Sequence, residues 1–135
     1  MPTEQAHTLT KGERLNSRTL IEKLFAGGNS RSMSAFPLRA VYMVKDRDGL
    51  EPQVQVLMSV SKRKFKRAVK RNRVKRQLRE AYRRNKHIVY DSLLRHEYFD
   101  KAVVIAFIWL DDKLHDSDNV NAKVSNLLTR ISEKI

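Results

Sequence analysis

Between Ser61 and Arg84 the chain carries thirteen lysines and arginines against one acid, Glu80, a local net charge of +12. The other 111 residues hold fifteen basic and fourteen acidic groups, so almost the whole formal charge of +13 sits in 24 positions. A block of one sign repels itself. It becomes an ordered element only if an apolar stripe docks it, and the partner it suits is an anion. The stripe is present. At about 100° per residue, Val74, Leu78, Ala81 and Tyr82 fall within an arc of about 100°, while Asn72, Arg76, Arg79 and Arg83 gather within about 60° on the nearly opposite side. Lys75 flanks the apolar stripe, and Arg73 and Glu80 lie on the other flank. The spacing predicts a helix from about Lys66 to Lys86. Arg76 with Arg79, and Arg79 with Arg83, are like-charge neighbours that each cost a few tenths of a kcal/mol in an isolated helix. A merely solvated face needs no single sign, whereas a row of guanidinium groups suits phosphates through paired donors. Nucleic acid is therefore the leading partner, ahead of an anionic membrane or an acidic protein.

The rest of the chain is an ordinary domain. Its 135 residues suffice for one core and not for two comfortable ones. Cysteine is absent, which excludes disulfide scaffolds, zinc knuckles and thiol nucleophiles and fits a reducing cytosol. The longest apolar run, Ala102 to Leu110, is too short to span a bilayer, and the first residues lack a basic-then-apolar signal pattern. A soluble cytoplasmic domain with no membrane partner is expected, with residues 1–9 a flexible arm and residues 10–135 the folded unit.

Along the chain, Thr10 to Glu13 reads as a short turn. A helix is predicted from Ser17, its cap, to Ala26, with Leu20, Ile21, Leu24 and Phe25 as its apolar stripe and Gly27-Gly28 as its stop. A short strand near Ser30 to Ser34 precedes a strand over Phe36 to Val44, in which Phe36, Leu38, Ala40, Tyr42 and Val44 point one way. Gln53 to Val60 is a strand with Val54, Val56, Met58 and Val60 on one face, joined to the previous strand by a loop over Lys45 to Pro52 read as a hairpin connection. The opposite face mixes Val41, Met43 and Leu57 with Arg39, Gln55 and Ser59, as expected of a face that is partly covered or lines a groove. The basic helix follows. Ala102 to Leu110 reads as a central strand buried on both faces, and a last helix starts near Ser117 and buries Val120, Val124, Leu127, Leu128 and Ile131. The order αβββαβα makes a small α/β (α+β) sandwich with a mixed sheet. In the stretch before the basic helix, Lys62, Arg63, Lys64 and Lys66 are placed to meet phosphates, and Phe65 is read as a hydrophobic anchor in preference to a base-stacking group.

At this segment Ala68-Val69-Lys70-Arg71-Asn72-Arg73-Val74-Lys75-Arg76, continuing through Arg79, resembles the signature helix of the bacterial ribonuclease P protein component. Ser59-Val60-Ser61-Lys62-Arg63 is similar to that family's strand ending in a basic pair, and Arg14-Leu15 and Lys23-Leu24-Phe25 to its first-helix region. The resemblance covers about residues 9–135. It implies an α/β fold with a left-handed β-α-β crossover, and a protein that assists a catalytic RNA in removing the 5′ leader of precursor tRNA. It also implies that the signature helix contacts the catalytic RNA, and that a cleft between the sheet face and that helix holds the single-stranded leader. By matching positions the implied RNA contacts are Lys62, Arg63, Arg71, Asn72, Arg73, Lys75, Arg76 and Arg79, to which the basic row adds Arg83; Ile21, Phe25 and Tyr42 fall to the leader cleft. Three departures stand out. Ile21 replaces a frequent Phe, Leu57 replaces a frequent Gly, and the stretch between Lys62 and Ala68 is about one residue longer than usual.

Catalysis by the chain itself finds little support. His7, His87, His96 and His115 fall in the arm, a helix end or loops. Asp111, Asp112, His115 and Asp116 read as ordinary loop and capping residues before a helix, not as metal ligands. With four glycines there is little room for a phosphate-cradling loop. No catalytic or metal-binding residue is assigned to the protein; the chemistry falls to the RNA, with Mg2+ bound mainly by RNA. The competing reading is a non-enzymatic basic RNA- or DNA-binding module, such as a ribosomal assembly factor or regulator.

Overall fold

The computed structural model describes residues 12–135, so the expected arm over residues 1–9, with His7, lies outside the described residues. Helix α1 spans Arg18–Ala26 as predicted. The Ser17 hydroxyl accepts from the Leu20 N–H at 3.3 Å, and Gly27 leaves the helix at φ 88°, a conformation that side chains with a Cβ avoid. Strands β1 (Arg31–Ala35) and β2 (Leu38–Asp46) form an antiparallel hairpin, with Ala35 opposite Leu38 and a cis Phe36-Pro37 turn between them. Phe36 was expected inside, as the first residue of β2. It sits in the turn instead, 60% exposed, because Pro37 brings no N–H and ends the ladder there.

Strand β3 covers Val54–Ser59 and β4 covers Lys101–Trp109. The strand order is β1-β2-β4-β3, with β4 antiparallel to β2 and parallel to β3. The expected hairpin between β2 and β3 is therefore wrong. Two sequence expectations compete here, and the stronger prevails: a strand apolar on both faces needs a neighbour at each edge, and β4 takes that place by separating β2 from β3. The passage from β3 to β4 crosses over through two helices, α2 (Ala68–Asn85) and α3 (His87–Arg95). Helix α3 adds one element to the predicted order. It buries Val89 and Leu93, four residues apart, and no Gly or Pro marks its start, since Lys86 joins the two helices in right-handed backbone geometry. Helix α4 (Ser117–Lys134) starts as predicted, with the Asp116 carboxylate accepting from the Asn119 N–H at 2.7 Å.

The sheet has two apolar faces of unequal size. Leu38, Ala40, Tyr42, Val56, Ile105 and Phe107 join the buried sides of α2, α3 and α4 in the main core. On the reverse, Val41, Met43, Val104 and Ala106 meet Leu15 and Leu24, with Leu20, Ile21 and Leu57 packed against them. β4 supplies both cores, as its unbroken apolar run requires. The outer edge of β3 is tied to the segment before α1: the Leu15 N–H donates to Val56 O at 2.8 Å, and the Val56 N–H to Glu13 O at 2.7 Å. The buried Glu13 carboxylate accepts from Lys86 Nζ at 3.0 Å and from the Tyr90 hydroxyl at 2.9 Å. Burial, and then that carboxylate, push the Tyr90 phenol well up. This group pins the segment before α1 to the α2–α3 junction.

Candidate nucleic-acid interface

Helix α2 docks through the four residues of its predicted stripe, Val74, Leu78, Ala81 and Tyr82, all buried. Burying Val74 and Leu78 alone is worth roughly 3–6 kcal/mol, well above the few tenths lost at each like-charge neighbour. Packing thus wins over repulsion, and the cationic side is held outward as a surface. Gln77 Nε2 donates to His115 O at 3.0 Å and Asn85 Nδ2 to Asn121 Oδ1 at 2.9 Å, which lock one flank of α2 to α4 and its approach. On the free side Asn72, Arg73, Arg76 and Arg79 are exposed, and Lys75 is half-buried at the stripe's edge.

Two cations of the expected set have protein partners. Arg71 Nη1 donates to Phe65 O at 2.7 Å and to Lys66 O at 2.8 Å, so part of its guanidinium ties down the turn entering α2. Arg83 pairs with Glu80, Nε to Oε2 at 3.0 Å, and Arg84 Nε reaches Glu80 Oε1 at 3.1 Å. The Arg83 guanidinium, then Arg84, hold the Glu80 carboxyl at about 2 despite some burial, and Glu80 in turn raises Arg83. The helix's single acid is thus spent on its C-terminal cations, and among the described residues Arg76 and Arg79 pair with no carboxylate. Lys62 and Arg63 lie exposed on the turn that follows β3, where Ser61 O accepts from the Lys64 N–H at 3.2 Å. Phe65 is buried in the main core, the anchor expected.

The main core lies between α2 and the sheet. Open grooves lie on the reverse face beside α1. One of about 250 Å³ is lined by Phe25, Arg31, Arg39 and Val41. Another of about 600 Å³ is lined by Leu20, Lys23, Met43 and Lys45. Phe25 stands 47% exposed at this site, while Ile21 packs against the reverse-face core and lines neither groove. Tyr42 does not join them. It is 3% exposed in the main core on the opposite side of the sheet. Successive strand residues alternate faces, so a slip of one position in matching the strand exchanges Val41 for Tyr42. Among the lining residues, Arg39 and Val41 lie on the face that the sequence marks as able to line a groove, whereas nothing in the sequence assigns Lys23 or Arg31 to it. The mixed character of that face, which also carries Met43, was the signal.

The acidic loop before α4 is used structurally. Asp111 Oδ2 is 2.7 Å from His115 Nε2, and that contact lowers the Asp111 carboxyl; Asp116 caps α4. No group of three potential metal ligands occurs among the described residues. The exposed side of α2 offers cationic donors that repel a metal ion, so its chemistry suits an anion and not a divalent cation.

Comparison with known proteins agrees with this geometry. A family model described as Ribonuclease P matches residues 9–132. The ribonuclease P protein component of Porphyromonas gingivalis is 41% identical over 130 residues, covering 94% of this chain and 88% of that protein. Its counterpart in Chlorobaculum tepidum is 29% identical over 133 residues, covering 95% and 85%. In fold, the chain is similar to the RNase P protein from Thermotoga maritima, with a TM-score of 0.63 at 24% identity over 87% of this chain and 96% of that one. The Staphylococcus aureus RNase P protein gives 0.58 at 16% identity over 88% and 94%. With the family match spanning almost the whole chain, and the signature arginines presented on a docked helix, the chain belongs to the ribonuclease P protein component family.

Proposed function

We propose that this chain is the protein subunit of a ribonuclease P ribonucleoprotein, binding the catalytic RNA through the free side of α2 and the single-stranded 5′ leader of precursor tRNA in the groove beside α1. The observation that carries the reading is the exposed row Asn72, Arg73, Arg76 and Arg79, all of one sign but for the asparagine and without a carboxylate partner among the described residues, on a helix whose other side is core. Guanidinium groups so presented meet phosphates through paired donors. Lys62 and Arg63 extend the charged surface toward β3. In the groove, Phe25 offers a face for a base, and Lys23, Arg31 and Arg39 supply charge for the backbone.

The reaction on this reading is endonucleolytic removal of the leader in tRNA 5′-end maturation. Magnesium, held mainly by RNA phosphates, supplies the activation of water when bound. The protein's own residues lower the phosphate repulsion around that centre and hold the leader in line. Work on transcripts of this kind belongs to the cytoplasm, and among the described residues no helix is long and apolar enough to cross a membrane.

The test is cleavage of precursor tRNA by the matching catalytic RNA at low millimolar magnesium, with and without this chain, with leader-length variants and a protein-alone control. Stimulation that requires both RNA and leader is expected. Absence of stimulation with folded protein would leave a general nucleic-acid binder, and cleavage by the protein alone would overturn the assignment of chemistry to RNA.

A further inference from the structure

The groove beside α1 continues past the helix. Asn29, Met43 and Val44, part of its wall, also line a second depression of about 330 Å³. That one shares Arg31 and Lys134 with a third, of about 620 Å³, which lies against β1 and α4 and is also lined by Arg130. The register explains the passage. β1 begins at Arg31, opposite Tyr42, while β2 runs on to Asp46, so among the described residues the outer edge of β2 beyond Tyr42 has no strand beside it. Through that gap the track passes from the α1 face of the sheet to the side where α4 ends.

Its charge is mostly of one sign. Arg31 and Lys134 are exposed and form no ion pair among the described residues. Arg130 is held beside β1 by donating from Nη1 to Ser34 O at 2.9 Å. Glu133 is the one acid in the lining of the third depression. The exposed Val44 side chain offers apolar surface at the crossing. A positively charged groove with apolar surface in it tracks a single-stranded backbone, and only a flexible strand can turn around a sheet edge as this track does.

We propose that this track carries the distal nucleotides of a single-stranded RNA whose near end occupies the groove beside α1, with Arg31 at the crossing and Lys134 and Arg130 meeting phosphates at the far end. The proposal rests on the reading that the α1 groove takes the leader, and it extends the recognised substrate to long leaders.

The test uses the assembled holoenzyme and three precursor tRNAs: without leader, with a leader of about 4 nucleotides and with one of about 12, lengths that span ordinary single-strand site sizes. Affinity is measured over a salt series. With the unaltered protein the long leader should bind more tightly than the short one, with a logarithmic salt slope steeper by about 1.4 for two added phosphate contacts. Lys134→Glu, at an exposed helix end where folding is not at stake, should abolish that increment and leave the short leader's affinity as it was. Arg31→Gln, which touches both parts of the track, should weaken both leaders. Lys134→Glu lowering both leaders alike, or neither, would overturn the track, as would an unaltered protein that gains nothing between the short and the long leader. Equal affinity with and without any leader would instead take down the α1-groove reading, and the track with it.

Discussion

Arg71 Nη1 bridges the carbonyls of Phe65 and Lys66, the last residues before α2 turns. Arg76 and Arg79, a turn or two further on, are exposed and reach no carboxylate among the described residues. The same residue type thus ties down the fold at one position and is held outward at the next. Arg71→Ala should cost about 1.5–3 kcal/mol in urea unfolding, the range for hydrogen bonds to a charged group. Arg76→Ala and Arg79→Ala should stay within about 0.5 kcal/mol, yet each should flatten the salt slope of RNA binding by about 0.7. The opposite pattern, with stability insensitive at Arg71 and lost at Arg76, would exclude this division. Phe25 and Tyr42 differ in the same way. Phe25→Ala should spare stability and remove about 1–3 kcal/mol of leader-dependent affinity, the worth of one stacked base. Tyr42→Ala, in the main core, should cost about 3 kcal/mol of stability with no preference for leader over catalytic RNA. Equal binding losses for leader and catalytic RNA in Phe25→Ala would contradict the groove's role.

Helix α2 spends its single acid at one end. Glu80 takes up Arg83 and Arg84, so the free cations lie toward the N-terminal two-thirds. Its carboxyl is held at about 2 against an ordinary 4.5, chiefly by Arg83. A carboxylate depressed on folding stabilises fully above its unfolded value and loses that contribution as pH falls through the folded one. The small contribution expected of this exposed group should therefore persist to about pH 4.5 and disappear toward about pH 2, which a carboxyl carbon titration by NMR would follow. Glu80→Gln should release Arg84 and steepen the salt slope by about 0.7 if it then meets a phosphate; an unchanged slope would show that Arg84 faces away from RNA. The docking of α2 was legible in the sequence because the 3.6-residue period separates apolar from basic positions without ambiguity. The same held for α1, with Ser17 before it and Gly27 after it, and for β4. Strand partnership was not legible: periodicity assigns faces and says nothing about neighbours, so β2 and β3 read as a hairpin until β4 is seen between them. Helix α3 was missed because no residue punctuates Lys86, and Tyr42 was misplaced because the match to a family motif tolerates a shift of one residue that a strand does not.

At the scale of the molecule, charge and apolar burial are arranged to oppose one another in the free chain and to cooperate with a polyanion. Of the excess of +13, +12 is concentrated in 24 residues, while the helix that carries most of it is fixed by a core extending through α3, α4 and the sheet. Self-repulsion is screened by salt within a Debye length of about 10 Å at 0.1 M, and the hydrophobic contacts that resist it are not weakened by moderate sodium chloride. Raising sodium chloride from about 0.05 to about 0.5 M should therefore stabilise the free protein, by about 1 kcal/mol or about 4 °C in Tm for a domain of this size. RNA affinity should fall over the same range, by about 3.5 logarithmic units per tenfold salt for roughly five phosphates on a single strand. The two responses have opposite signs because one cluster of charges is uncompensated in the first case and compensated in the second. Thermal unfolding of the free chain and filter binding of the RNA, run across one salt series, measure both. A Tm that falls with salt would mean that pairs such as Glu80 with Arg83 and Asp46 with Lys101 outweigh the repulsion, and the concentration of charge on α2 would then carry no cost for a partner to relieve.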